Sequence, residues 1–183
     1  MPSARARLAQ PRDAPSISAL GRVALQRTYG GMAAQTAIDA VVAQLYDVEA
    51  VTASIAAAQQ HPGSRFLVAE IGDHVVGFLD YDERGPEPEL HRIYLRPDVI
   101  GCGVGTLLVD ALHESLPADA AYVLLVLAGN TRAIAFYRRH GLVVRDTIDV
   151  APYYLERMGV TLPADTAMTA HVMERRPRAS STI

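Results

Sequence analysis

The chain has no lysine and no tryptophan, and only one cysteine, Cys102, in 183 residues. A single thiol excludes an intrachain disulfide framework, so burial alone must stabilise the fold. A chain of this length can bury enough in one domain. The lone cysteine suits a reducing compartment and predicts a cytoplasmic protein. Because lysine is absent, all 17 basic residues are arginine. That excludes a Walker-type phosphate loop, whose lysine reaches the outer phosphates. The net charge of −3 leaves no excess of basic residues for nucleic acid, so none is expected as a partner. No run of about 18 apolar residues occurs, so no membrane span is expected. The longest run, Ala120 to Ala128, is the size of a strand. The first twelve residues carry arginines but lack the apolar stretch of a signal peptide. Six histidines are scattered without paired helical spacing, so no metal site is expected.

What is present alternates between helical and strand periods. A short first strand lies within Met1 to Gln10. Asp13 caps a helix that tolerates Pro15 in its first turn and ends at Gly30-Gly31. Met32 to Leu45 reads as helical. Asp47 caps a further helix with Val48, Val51, Ile55 and Ala58 on one face. Phe66 to Ala69 and His74 to Asp80 flank Gly72-Asp73 as a hairpin. A strand from Glu89 to Arg96 stops at Pro97. Val104, Leu107, Leu108, Ala111, Leu112 and Leu116 form one helical face. Ala121 to Ala128 is apolar throughout, as in a strand covered on both sides. Asn130 caps a helix over Thr131 to Arg139, ending at Gly141. Strands follow from Leu142 to Val150 and from Thr166 to Met173, and residues 173–183 read as a frayed tail. The hairpin requires antiparallel pairing, and strand–helix–strand from Glu89 to Ala128 requires a parallel crossover. The expected fold class is therefore α/β (α+β): one domain over residues 1–183, with a mixed sheet and helices on both faces.

The strongest local signal is Ile100-Gly101-Cys102-Gly103-Val104-Gly105-Thr106, set between a strand and a helix. Three alternating glycines let the backbone approach a ligand closely. The first N–H groups of the helix then point at it with the positive end of the dipole behind them, which suits a phosphate. A dinucleotide fingerprint needs glycine three positions after its second glycine. From Gly101 or Gly103 that position holds Thr106 or Leu108, so the fingerprint fails.

Gly103-Val104-Gly105, the preceding strand from Leu90 to Pro97, and Asn130-Thr131-Arg132-Ala133-Ile134-Ala135-Phe136-Tyr137 followed by Gly141-Leu142 together resemble the GNAT superfamily of acetyl-CoA-dependent N-acetyltransferases. The resemblance covers Phe66 to Val150. It implies a mainly antiparallel sheet with a parallel, splayed pair of strands in the middle. It also implies acetyl-CoA as cosubstrate, held by Ile93, Tyr94 and Leu95 on the strand, by Gly101, Cys102, Gly103, Val104, Gly105 and Thr106 in the loop, and by Asn130, Ala133 and Phe136. The family's Gln or Arg slot in the loop holds Ile100, so the backbone amides must hold the pyrophosphate there. Arg96, Arg132 and Arg138 are candidates for the missing charge.

Transfer to an amine needs a base for the amine proton and an acid for the leaving thiolate. The resemblance implies Tyr137 as the acid. For the base there are two candidates, Glu89, implied by the resemblance, and His91, with its ordinary pKa near neutrality. A bulge common in this strand of the family leaves their relative facing open. The expected acceptor is a small-molecule or peptide amine, and a homodimer is compatible with the family. The acceptor wall falls on Arg22 to Asp47 and Asp146 to Thr169. Asp39, Asp47, Glu49, Asp80 and Asp82 are candidates to attract a cationic amine, and Tyr29, Tyr153 and Tyr154 to line a pocket. The alternative on the same fold is a non-catalytic acyl-CoA-binding sensor or interaction module, since fold does not fix function.

Overall fold

In the computed structural model, which describes residues 3–163 and 168–176, seven strands form one sheet in the order β1-β2-β3-β4-β5-β7-β6. The strands are β1 (Arg5–Leu8), β2 (Arg65–Ile71), β3 (His74–Asp82), β4 (Glu89–Leu95), β5 (Tyr122–Leu127), β6 (Leu142–Asp149) and β7 (Thr169–Arg175). All neighbours are antiparallel except β4 and β5, which run parallel. The helices are α1 (Ala14–Tyr29), α2 (Gln35–Leu45), α3 (Val48–Gln60), α4 (Val104–Ser115), α5 (Thr131–Arg139) and α6 (Val150–Met158).

Strand alternation divides the core into two layers. Phe66, Val68 and Phe78 pack with Ile17, Ile38, Val51 and Ile55 from α1, α2 and α3. Leu67, Ala69, Val76 and Leu79 pack with Val104, Leu108, Leu112 and Ile134 from α4 and α5. Both faces of the sheet are therefore covered, which is why β2 and β5 read as nearly continuous apolar runs rather than alternating ones. No single helix is long and apolar enough to cross a membrane among the described residues. The apolar pair α2 and α3 bends by 58° between its halves and buries Ile38, Val41, Val51 and Ile55 in the core.

Two local expectations change. Asp13 stands at the N-cap position of α1 but makes no capping bond. Its carboxylate instead accepts from the Gln10 N–H at 2.8 Å and from Arg7 at 2.7 Å, because the residues before α1 form their own 3₁₀ turn. The last strand reaches Arg175 and so takes residues 173–175 from the expected tail, since pairing with both β5 and β6 holds its end. The expected start at Thr166 lies outside the described residues, as do residues 177–183. Helix α6 had no counterpart in the sequence reading.

Candidate active site

Strands β4 and β5 share only one register pair, Glu89 with Val123, beside a bond from the Val123 N–H to the Pro88 carbonyl at 2.9 Å. Beyond it they part, and a gap opens toward Leu95 on one side and Leu127 on the other. Backbone groups facing such a gap lack a strand partner, and polar backbone groups are rarely left so without a ligand or water.

The end of the gap next to the glycine loop is made of backbone. Gly101 and Gly103 have φ of +91° and +86°, and a Cβ at either would meet nothing within 4 Å. Their requirement is conformational, and the space before them is open. Gly103 is the N-cap of α4, and the first internal bond of the helix runs from Leu107 N–H to its carbonyl at 2.9 Å. The N–H groups of Gly103, Val104, Gly105 and Thr106 therefore have no carbonyl within the helix. Val104 buries its side chain in the core and can offer only its N–H. Gly105 is different. A Cβ there would lie 3.3 Å from the Phe136 ring and 3.5 Å from Leu95, so this glycine lets α4, α5 and β4 approach one another. Thr106 Oγ1 is 3.3 Å from His140 Nε2. Cys102 and Ile100 are exposed, and Arg96 is occupied by Asp98 at 2.6 Å. Arg132 and Arg138, both exposed, make no ion pair with a described residue. The Asn130 side chain caps α5 by accepting from the Ala133 N–H at 3.1 Å, which uses both groups structurally.

At the other end β4 carries a bulge. Asp80 pairs with Arg92 and Tyr81 with Leu90, so His91 is the extra residue. Leu90, Ile93 and Leu95 face the α4 layer, while Tyr94 faces the α1 layer. Arg92 lies over the rings of Tyr46 and Phe66 in that same layer. Glu89 is buried, its side chain 3% exposed, with Oε1 accepting from the Tyr153 hydroxyl of α6 and lying 3.3 Å from His91 Nδ1. Glu89 Oε2 and His91 Nδ1 are the two buried side-chain polar atoms without a hydrogen-bond partner among the described residues. Burial pulls the His91 pKa down, but the adjoining Glu89 carboxylate and the charge of Asp80 outweigh it, so the imidazole is more basic than usual.

Tyr137 lies under α5 with its ring 5.4 Å from that of Phe136. Burial raises its pKa well above that of a free phenol and keeps it protonated. The hydroxyl of Tyr29, at the end of α1, is 3.4 Å from that of Tyr94 on β4. Tyr29 and Tyr154 line a narrow apolar slot beside the gap. The acidic candidates fare differently. Asp80 is bound to the buried Arg92, with Nε at 2.9 Å, and Asp82 is bound to Arg84 and Ser64. Asp47 accepts from the Glu49 N–H and Asp39 from Gln35, and Asp39, Asp47 and Glu49 lie outside the slot lining. The role of Tyr153 as partner of Glu89, 64 residues away, had no local signal. Nor did the buried Asp80–Arg92 pair. Among the described residues no group of three or more His, Cys, Asp or Glu could hold a metal ion.

The profile of the acetyltransferase (GNAT) family matches residues 19–142. A spermidine N(1)-acetyltransferase from Thermoplasma acidophilum is 26% identical over 149 residues, covering 79% of this chain and 91% of that protein. The crystal structure of a PaiA N-acetyltransferase from T. acidophilum, in complex with coenzyme A, has a TM-score of 0.74 at 22% identity, covering 95% of this chain and 99% of that one. YncA from Salmonella typhimurium, with acetyl-CoA, has a TM-score of 0.71 at 17% identity, covering 98% and 97%. At these identities the two structures establish the fold.

Proposed function

The chain belongs to the acetyltransferase (GNAT) family, and we propose that it transfers an acetyl group from acetyl-CoA to the amine of a small-molecule or peptide acceptor. The observation that carries this reading is the buried carboxylate at the apex of the gap, Glu89, with one oxygen left unpartnered. Such an atom is costly unless something uses it. The six steps of β4 from Glu89 to Leu95 span roughly 20 Å at about 3.3 Å per residue, and Leu95 lies against Gly105 at the start of α4. A ligand serving both ends must be long, with phosphate at one end and a reactive group toward the other. CoA has that shape, and the structures of PaiA and YncA contain CoA and acetyl-CoA.

The residues present fit the group. The four free N–H groups at the start of α4 and the open space at Gly101 and Gly103 suit a pyrophosphate. Arg132 and Arg138 supply charge where Ile100 does not. Ile93, Tyr94 and Leu95 border the gap; the Arg96 N–H bonds Val76 of β3, so by alternation Tyr94 also pairs with β3 while Ile93 and Leu95 turn their N–H groups toward a carbonyl within the gap. Bound acetyl-CoA supplies an acetyl group activated as a thioester. Glu89 takes the proton of the attacking amine at Oε2, directly or through one water, and the basic His91 beside it shares the charge. Tyr137, protonated and buried, donates its proton to the departing sulfur. The reading extends to a reducing cytoplasm, supported by the exposed free thiol of Cys102.

Free-thiol release from acetyl-CoA in the presence of a panel of primary amines tests the proposal, with calorimetry of acetyl-CoA alone as its companion. Thiol release that depends on the amine is the expected result. Binding without release across the whole panel would make the protein an acyl-CoA sensor.

A further inference from the structure

The slot beside the gap has a composition that acetyl transfer alone does not require. It lies between the end of α1, α2, the end of β5 and the start of α6, and Leu25, Tyr29, Ile38, Val41, Leu127 and Tyr154 are among its walls. Among the described residues no charged side chain lines it. Its volume of ≈ 30 Å³ admits roughly two water-sized groups at about 10–15 Å³ each. That is enough for a short alkyl chain or the leading edge of a ring.

Its tyrosines join the slot to the chemistry. Tyr29 meets Tyr94 of β4 at 3.4 Å. Tyr154 follows Tyr153, whose hydroxyl binds Glu89. Burial raises the Tyr154 pKa, and the Glu89 charge adds to that rise, as expected for neighbours in a dry site. Helix α6 thus carries both the partner of Glu89 and a wall of the slot, so an amine held at the free oxygen of Glu89 has an apolar wall near it for its carbon skeleton. Two of the described carboxylates that could receive a second ammonium are committed elsewhere, Asp80 to Arg92 and Asp82 to Arg84. Burying an unpaired ammonium among these apolar side chains is strongly unfavourable.

We infer that the acceptor is a small primary amine with an apolar alkyl or aryl group, whose nitrogen meets Glu89 and whose carbon skeleton enters the slot. This rests on the acetyl-transfer reading above, and it departs from the polyamine in the name of the Thermoplasma relative. Discrimination in an apolar pocket of this kind is of order 10–200-fold per missing or added methylene.

Isopentylamine and phenethylamine are compared with spermidine by thiol release at saturating acetyl-CoA. The expected kcat/KM is at least about tenfold higher for the apolar amines. Ala37 is buried in the slot wall, and Ala37→Leu should raise the KM for isopentylamine about tenfold or more while leaving the KM for acetyl-CoA unchanged. Ala37→Val, the milder replacement, serves if the leucine variant does not fold, with a smaller rise in the same direction. Spermidine turned over as well as or better than the apolar amines overturns the inference and leaves acetyl transfer standing. No thiol release with any amine of the panel overturns acetyl transfer, and the slot is then decided by melting temperature. Stabilisation of the wild type by isopentylamine, lost in the Ala37 variant, supports the pocket, and no stabilisation sinks it.

Discussion

The two ends of the β4/β5 gap are built from different materials. At the end proposed for the phosphates the free donors are main-chain N–H groups, and the side chains that matter are absent ones, at Gly101, Gly103 and Gly105. At the end proposed for the acceptor nearly every group is a side chain: Glu89 and His91 on β4, Tyr153 and Tyr154 on α6, Tyr29 on α1. Backbone donors tolerate most substitutions as long as the turn keeps its shape, so one loop design can serve many relatives. A side-chain pocket changes with each residue, so the acceptor can differ among proteins that share the loop. In this chain the contrast is sharpened by Ile100, which leaves the glycine loop without the polar side chain that the family resemblance implies for that slot.

The largest effect is expected at the backbone end. Gly103→Val forces a β-branched residue to φ near +86°, a genuine outlier for such a side chain. Acetyl-CoA binding measured by calorimetry should be lost. The open space at that Cβ predicts a folded variant with a modest fall in melting temperature. Unchanged affinity in the folded protein would remove the loop from the site.

Next comes Tyr137→Phe, which deletes one oxygen and keeps the ring against Phe136. General-acid assistance is worth about 10²–10⁴-fold, and kcat should fall within that range with the KM for acetyl-CoA preserved. Turnover within about threefold of wild type, against the decades expected of an acid, would return this residue to a packing role.

At the acceptor end, Glu89→Gln should cost most at low pH, where the amine is protonated, and least at high pH, where free amine needs no base. A silent Glu89→Gln with that same profile in His91→Ala would make the imidazole the base. The pair also predicts a titration. His91 has a folded pKa above its ordinary value of 6.5, so its stabilising contribution is complete below 6.5 and disappears as pH rises through the folded value. NMR should place the imidazole midpoint above 6.5 in the wild type and lower in Glu89→Gln. A midpoint unmoved by that substitution would uncouple the two residues.

The smallest effect is a gain. Ile100→Arg would place a guanidinium on the exposed rim of the loop, where charge-assisted bonds to phosphate are strong. Acetyl-CoA affinity should rise several-fold, about 1 kcal/mol, below the about 1.5–3 kcal/mol that bonds to charged groups are worth, because the rim is exposed to solvent. Affinity left unchanged would mean that Arg132 and Arg138 already saturate the need.

The glycine-loop end was legible as structure because its parts are close along the chain. A strand, a glycine loop and a helix follow one another from Glu89 to Ser115, and α5 with its Asn130 cap comes one strand later. Helix α6 escaped notice because Pro152 stands where an apolar-periodic residue would have helped, and the preceding residues read as one long strand. The N-terminal Asp13 misled for a related reason. A capping residue is recognised by its position, but here the position belonged to a 3₁₀ turn and the carboxylate was claimed by Arg7.

By itself the sequence determined the mixed sheet, the hairpin, the caps at Asp47 and Asn130, and the glycine-lined start of α4. Each of these follows from preferences of neighbouring residues, which act over a few positions. Only the tertiary structure decided that Tyr153 would meet Glu89, that Arg92 would take Asp80 out of play, and that α1, α2 and α6 would close an apolar slot beside them. The Tyr153–Glu89 contact and the slot join segments far apart in the chain, and the Asp80–Arg92 pair depends on the register of β3 with the bulged β4, so no local spacing records them.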